Sequence, residues 1–334
     1  MWTECPSCSI DLDAPKEERF QKLPSELIEH SRNLIYALSD VLESSVPGAF
    51  PYDEAATLIK QATKGHFDQE AEEVALAHSV EADRVLCTQA IYDIALAMGC
   101  ATIVLPTSSG PIMARNMDWP PEDKIALASC LMHYQRGGKT KFTNAGFTSG
   151  IGAVTGMSAN GFALAVNAVS GDLDQQGFPM LLFLRFVLEN AEGFDQALDW
   201  LTRQRLAMSG MITLVGTKNE QRVVIERETA DRTRDRCSAK LRFAEADKPL
   251  ITTNHFRAFE ATEDDRACSR YARLEEILKT PPSTDADSLL SILNDIQVKQ
   301  DITAQQVIAQ PATGLIRMFF PNAALESGWR WMEG

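Results

Sequence analysis

A chain of 334 residues, 45% apolar and 23% charged, is sized and composed for one large or two modest globular units. Its net charge of −14 offers no basic stripe for releasing counterions, which excludes nucleic acid as the expected partner. No apolar run approaches the ~18 residues that a bilayer-spanning helix needs.

The N-terminus, "MWTECPSCSIDLDAPKEERF", has no basic stretch leading into an apolar core. No signal peptide is read there, and a cytoplasmic location is expected. The seven cysteines (5, 8, 87, 100, 130, 237 and 268) are odd in number and scattered, which favours thiols over a disulfide framework. Residues 1–25 read as a polar, Pro-punctuated extended arm. The "CPSC" at 5–8 lacks a second Cys pair or a spaced His pair, so a four-ligand zinc site is not expected. Spacer cysteines or an adventitious metal site fit it better, and no cofactor is implied.

From Glu26, the residues Leu27, Ile28, Leu34, Ile35, Leu38, Val41 and Leu42 fall at helical spacing. "VPGAFPYD" stops that helix. Helical stretches over about 53–63, 68–77 and 81–98 follow. At Cys100 the period becomes strand-like: "CATIVL", the turn "PTSSG", then "PIMARNMDW". Residues 143–171, rich in Gly, Ala, Val and Ser, suggest two or three more strands. Residues 179–204 carry one apolar helical face, "MITLVG" and "RVVIER" form a hairpin, and "PLITTNHF" is a strand running into a loop. "SRYARLEEIL" and "DADSLLSILNDI" are helices, and "GLIRMFF" is a last strand. Helices, then paired strands, then helices and strands again predict an α+β stack of antiparallel sheets covered by helices.

The hairpin after residue 99 draws the chemistry together. Pairing Leu105 with Pro111 puts Cys100 opposite Asn116, give or take one residue. Arg115 and Asp118 then fall near the cysteine, but residues three apart face opposite sides of a strand, so one must lie past a bulge or strand end. A guanidinium beside Cys100 is expected to lower the thiol pKa. The five histidines show no catalytic spacing. A cut between Gly99 and Cys100 would supply the missing base, because the freed α-amine titrates at roughly 7.7–8.0. The plainer readings are a buried core thiol for Cys100, a strand-end ion pair for Arg115 and Asp118, and turn residues for Asn167 and Asn254. The apolar "MFFP" and "WPPE" segments either line an acyl pocket or pack the core.

"CATIVLPTSSGPIMARNMDW" resembles the N-terminal-nucleophile (Ntn) hydrolases of the acid ceramidase, N-acylethanolamine acid amidase and choloylglycine hydrolase type. The likeness extends to "RFVLENAEGFDQALDWL", to "MITLVGTKNEQRVVIER", and to "TTNHF" followed by "EDDR". It covers nearly the whole chain from about residue 20. It implies a four-layer αββα sandwich of two antiparallel sheets. It also implies a helical N-terminal segment, residues 1–99, that becomes a small subunit while 100–334 form the catalytic region, the whole being one structural unit. Carried over, Cys100 is the nucleophile and Arg115 lies beside its sulfur. Asp118 binds the amine, and Asn254 donates to the oxyanion. Arg266 braces the site, and Asn167 is a second polar contact near the oxyanion. Ala101 and Ala168 stand where the family often has Thr and, in the ceramidase branch, Glu. The implied activity is a self-cleaving amidase that hydrolyses N-acyl amides through an acyl-thioester. The two cleaved chains stay associated, and a homo-oligomer is allowed. An acyltransferase of the isopenicillin N type, or a non-catalytic protein binding acylated ligands, remains as an alternative.

Overall fold

The computed structural model describes residues 1–94, 99–229, 238–259 and 268–326. Strand β1 (Trp2–Glu4) and strand β2 (Ser7–Asp11) open the chain. The helices α1 (Ser25–Ser44), α2 (Tyr52–Thr63), α3 (Asp68–His78), α4 (Ala82–Gln89) and α5 (Ile91–Ile94) follow. Strands β3 (Gly99–Leu105) and β4 (Ile112–Asp118) form the hairpin, and helix α6 (Glu122–Ala128) leads into β5 (Ser129–Arg136), β6 (Lys139–Phe147), β7 (Thr155–Ser158) and β8 (Phe162–Ala168). Helices α7 (Met180–Asn190) and α8 (Phe194–Arg203) precede β9 (Gly210–Val215), β10 (Arg222–Glu228), β11 (Ser238–Phe243) and β12 (Leu250–Thr252). Helices α9 (Ser269–Ile277) and α10 (Ala286–Leu293), strands β13 (Thr303–Gln310) and β14 (Leu315–Pro321), and the short α11 (Ala323–Glu326) complete the described chain.

The strands make two sheets. A six-stranded sheet runs β1-β14-β13-β4-β3-β12, and an eight-stranded sheet runs β11-β10-β9-β8-β7-β6-β5-β2. All pairings within them are antiparallel except β2 with β5. The alternation along β3 and β4 fixes the layers. Ala101, Ile103, Leu105, Ile112 and Ala114 pack outward on Leu274 and Leu278 of the α9 region and on Leu289, Ile292 and Leu293 of α10. Val104 and Met113 face the opposite way and meet Ala163, Ala165, Met211, Val215 and Val224 of the eight-stranded sheet. The N-terminal helices, α7 and α8 join the largest cluster with Phe162, Leu164, Val166 and Ile212. The order helix, sheet, sheet, helix is the expected αββα sandwich.

The first residues depart from the expected arm. Glu4 pairs with Phe319 at the edge of one sheet, and Ser7–Asp11 lie along Leu131–Gln135 at the edge of the other. Ile10 is fully buried and Cys5 nearly so. "TECPSCSID" thus clasps both sheets; its short alternating segments were too polar to stand out beside the helices that follow. The helix expected over 81–98 is broken at Ala90, and residues 95–98 lie outside the described residues. Trp119, Phe319 and Phe320 are buried, while Pro120, Pro121, Glu122 and Pro321 of "WPPE" and "MFFP" are half-buried.

Candidate active site

Cys100 is the second residue of β3 and pairs with Met117, one position from the expected Asn116; Gly99 pairs with Asp118 and Thr102 with Arg115. Cys100, Thr102, Arg115 and Met117 therefore share the face turned to the second sheet. Arg115 is buried, and its Nη2 donates to Cys100 Sγ at 2.8 Å. The rest of the guanidinium is anchored across the sheet-to-sheet gap: Nη1 donates to Val154 O at 3.1 Å and to Thr155 Oγ1 at 2.9 Å. A planar fork with several donors suits this three-way tie.

Asp118 belongs to the opposite face. It ends β4 where the pairing of β4 with β13 slips between Thr303 and Gln305. Its carboxylate accepts from Thr303 Oγ1 at 2.6 Å and from Arg270 Nη1 at 3.0 Å. It also lies against Gly99, the residue before Cys100. A Cβ at Gly99 would lie 3.3 Å from Asp118 Oδ2 and 3.5 Å from the Gln300 carboxamide, so a larger residue would need the Asp118 side chain to give slightly. Of the two charged neighbours expected around the sulfur, Arg115 reaches it and Asp118 flanks the peptide bond behind it.

The backbone of Cys100 is held as closely as its side chain. Cys100 N–H donates to Asn254 Oδ1 at 2.8 Å, and Asn254 Nδ2 donates to Ala168 O at 2.8 Å. Asn254 follows β12, which pairs with β3 through Thr252 and Thr102, so sheet register carries the amide to its place. Asn167 stands on β8, where its Oδ1 accepts from Thr102 Oγ1 at 2.9 Å and its Nδ2 donates to Thr252 O at 3.2 Å. It braces β3 and β12 beside Cys100, one residue pair away from the sulfur.

Arg266 lies outside the described residues. A second arginine, Arg270 on the first turn of α9, makes the contacts that sequence reasoning overlooked. Its Nη1 donates to Cys100 O at 3.1 Å, and its Nη2 donates to Asn254 Oδ1 at 2.8 Å. With the Gln300 oxygen turned toward it, Arg270 also donates to that carboxamide at 3.0 Å. No local pattern singles this arginine out, because the helix starts at Ser269, fifteen residues after Asn254.

The electrostatics correct one expectation. Burial raises the Cys100 thiol above its ordinary range, and the pull of Arg115 toward the thiolate does not overcome it. Burial therefore favours the protonated thiol. Burial likewise raises the Asp118 carboxyl, against the opposing pull of Thr303 and Arg270. Ahead of β3, the Tyr92 hydroxyl donates to Ser209 O at 3.1 Å. The buried Asp93 carboxylate accepts from Met180 N at 3.2 Å, at the start of α7. Among the described residues no group of three or more His, Cys, Asp or Glu side chains could hold a metal ion.

With that geometry in place, the relatives become informative. The model of the acyl-coenzyme A:6-aminopenicillanic acid acyl-transferase family matches residues 105–308, more than half of the chain. The chain belongs to that family. A curated relative of this acyl-transferase family member, the N-acylethanolamine-hydrolyzing acid amidase of Caenorhabditis elegans, is 22% identical over 323 residues, which cover 90% of this chain and 88% of the relative. Human acid ceramidase is 22% identical over 252 residues, and the match covers 67% of this chain and 63% of the ceramidase. The solved structure of the C. elegans amidase aligns with a TM-score of 0.54 at 19% identity, covering 64% of this chain and 93% of that one. The fold of this family member is that of the Ntn hydrolases.

Proposed function

We propose that this family member is a cysteine Ntn amidase that cuts its own chain between Gly99 and Cys100 and then hydrolyses linear N-acyl amides. One observation carries the reading: both reactive ends of Cys100 are held by dedicated partners, the sulfur by Arg115 at 2.8 Å and the backbone nitrogen by Asn254 at 2.8 Å. A core thiol needs no guanidinium on its sulfur.

In the self-cleavage step, Cys100 Sγ attacks the Gly99 carbonyl carbon while the Gly99–Cys100 amide bond breaks, and the nitrogen takes the thiol proton. Water then hydrolyses the resulting thioester, leaving a Gly99 carboxylate, a free Cys100 thiol and a free α-amine. The carboxylate of Asp118, opposite Gly99, and the guanidinium of Arg270, on Cys100 O, flank the bond that breaks.

In turnover, the α-amine takes the thiol proton as sulfur attacks the substrate's carbonyl carbon. The oxyanion faces the Asn254 amide, one hydrogen of which is spent on Ala168 O, leaving the other to donate. Such a donor typically contributes about 2.7–4 kcal/mol to barrier lowering. Collapse expels the amine, which leaves with the proton from the α-amine, and the acyl group stays on sulfur as a thioester. Water, deprotonated by the same α-amine, releases the carboxylic acid and restores the thiol. An apolar groove between α2 and the loop before α7, lined by Phe50, Leu58, Ile59, Ala90, Leu173 and Pro179, has the character to take an aliphatic chain.

N-acylethanolamines, ceramides and N-acyl amino acids are the substrate classes this reading favours. A screen of these with varied tails, on processed protein, tests it: Cys100-dependent release of fatty acid supports the reading, and none across all three classes refutes it. The second reading is acyl transfer, favoured by the family whose model matches. An added amine acceptor separates the two, since a transferase diverts the acyl group into a new amide and a hydrolase does not.

A further inference from the structure

The "CPSC" at 5–8 has no part in the chemistry above, and its two cysteines do not face one another. Cys5 lies between the two edge strands, its N–H donating to Met318 O at 2.8 Å and its side chain packed with Ala126, Leu127 and Leu131. Cys8 sits on β2 in the other sheet, where it pairs with Met132 of β5. Cys130 is two residues before Met132, on the same face, and its Sγ lies 3.1 Å from Cys8 Sγ. A disulfide needs the sulfurs about 2.0 Å apart, so a closure of roughly 1 Å is enough. β2 is an edge strand with a neighbour on one side only, so it is free to make that adjustment. Its register is otherwise pinned on both flanks: Leu131 N donates to Pro6 O at 2.9 Å, and Leu12 N donates to Gln135 O at 2.8 Å. The two thiols are therefore held in apposition.

We propose that Cys8 and Cys130 form a reversible disulfide that clips β2 onto the eight-stranded sheet and, once the chain is cut, joins its two fragments covalently. The second half of this statement rests on the proposed cleavage, because Cys8 lies before Gly99 and Cys130 after it; the first half does not. The oxidant is a low-molecular-weight disulfide such as glutathione disulfide. Cys8 is the partly exposed member, and the hydrogen bond from Cys130 lowers its pKa, so it reacts first. Its thiolate attacks one sulfur of glutathione disulfide, forming a mixed disulfide and releasing one glutathione. Cys130 Sγ then attacks Cys8 Sγ, the second glutathione leaves with the Cys130 proton, and the two electrons end on the pair of glutathione thiols.

The test uses full-length wild type and Cys100→Ala, each equilibrated with glutathione disulfide or with dithiothreitol, alkylated and mapped by mass spectrometry. A Cys8–Cys130 cross-linked peptide in the oxidised samples of both proteins, lost on reduction and lost in Cys8→Ser and Cys130→Ser but kept in Cys5→Ser, is the expected result. Non-reducing electrophoresis of cleaved wild type then shows one band that splits into two on reduction. If wild type stays a single chain but carries the cross-link, the clip stands and the cleavage reading fails. Full alkylation of both thiols after oxidation, a Cys5–Cys8 link, or a glutathione adduct persisting on Cys8 would each overturn the clip.

Discussion

Arg115 and Cys100 sit on adjacent strands of one sheet, two residues apart in register, with guanidinium and sulfur 2.8 Å apart and both side chains fully buried. The arrangement opposes two large effects: desolvation, which keeps the thiol protonated, and a cation, which favours the thiolate. Burial wins.

Removing the cation should therefore raise the thiol further. Arg115→Met is expected to move the pH midpoint of Cys100 alkylation upward and to lower kcat/KM by about 10- to 100-fold, the scale of a hydrogen bond to a charged group. Arg115→Lys should recover little, because a single ammonium cannot also hold Val154 O and Thr155 Oγ1. An unchanged alkylation profile would remove Arg115 from the chemistry.

Asn254 and Arg270 form one network over the Cys100 backbone. Asn254→Ala should lower kcat by about 10²- to 10³-fold in protein that still melts cooperatively. Arg270→Lys should slow self-cleavage more than Arg266→Lys does, as followed by fragment appearance on denaturing gels. The reverse order would return the bracing role to Arg266.

Arg185 of α7 ties the N-terminal helices to the eight-stranded sheet. Fully buried, it pairs with Glu70 of α3 at 3.3 Å and with Glu189, and it stacks over Phe142 at 4.1 Å and Tyr134 at 4.5 Å. Arg185→Leu leaves the partly buried Glu70 and Glu189 without their shared cation, and denaturant unfolding should show a loss of about 2–3 kcal/mol, short of the full penalty for a wholly buried charge. Glu70→Gln in that background should recover part of it. A loss below ~1 kcal/mol would contradict the assignment.

Asp93 gives a pH dependence with a definite sign. Burial pushes its carboxyl from 3.8 up to about 8, against the backbone hydrogen bond from Met180. Between those values the folded chain holds a proton that the unfolded chain has released, so this group's contribution to stability falls as pH rises from about 4 to about 8. Asp93→Asn keeps an acceptor for Met180 N and cannot ionise. Its unfolding midpoint should decline less than that of wild type from pH 5 to about 8; parallel curves would show that Asp93 does not titrate in this window.

The sequence made the core of the site legible because its pieces lie in one hairpin. "GCATIVL" and "PIMARNMDW" alternate cleanly, and Leu105 and Ile112 close the register to within one residue. The long amphipathic helices of the N-terminal segment were legible for the same reason, one face of period 3.6 each. What escaped was structure whose burial is polar. β13, "TAQQVIAQ", carries Gln305 and Gln306 in its interior, which read as solvent-facing; both are buried because Ser129 and Asn116 accept from their amides. Likewise β5 follows a seven-residue helix that local pattern could not separate from a loop. Arg270 escaped because its importance lies in where α9 begins in space, not in any spacing along the chain.

The central claim is that one residue supplies both the sulfur and the base, and mass spectrometry of the fragments tests it most directly. Purified wild type should resolve into a fragment ending at Gly99 and one beginning with the free amine of Cys100, alongside measured amide turnover. Cys100→Ala should stay a single uncut chain of 36.9 kDa without turnover. A wild-type protein that hydrolyses amides at full rate with no new N-terminus at Cys100 would contradict the account.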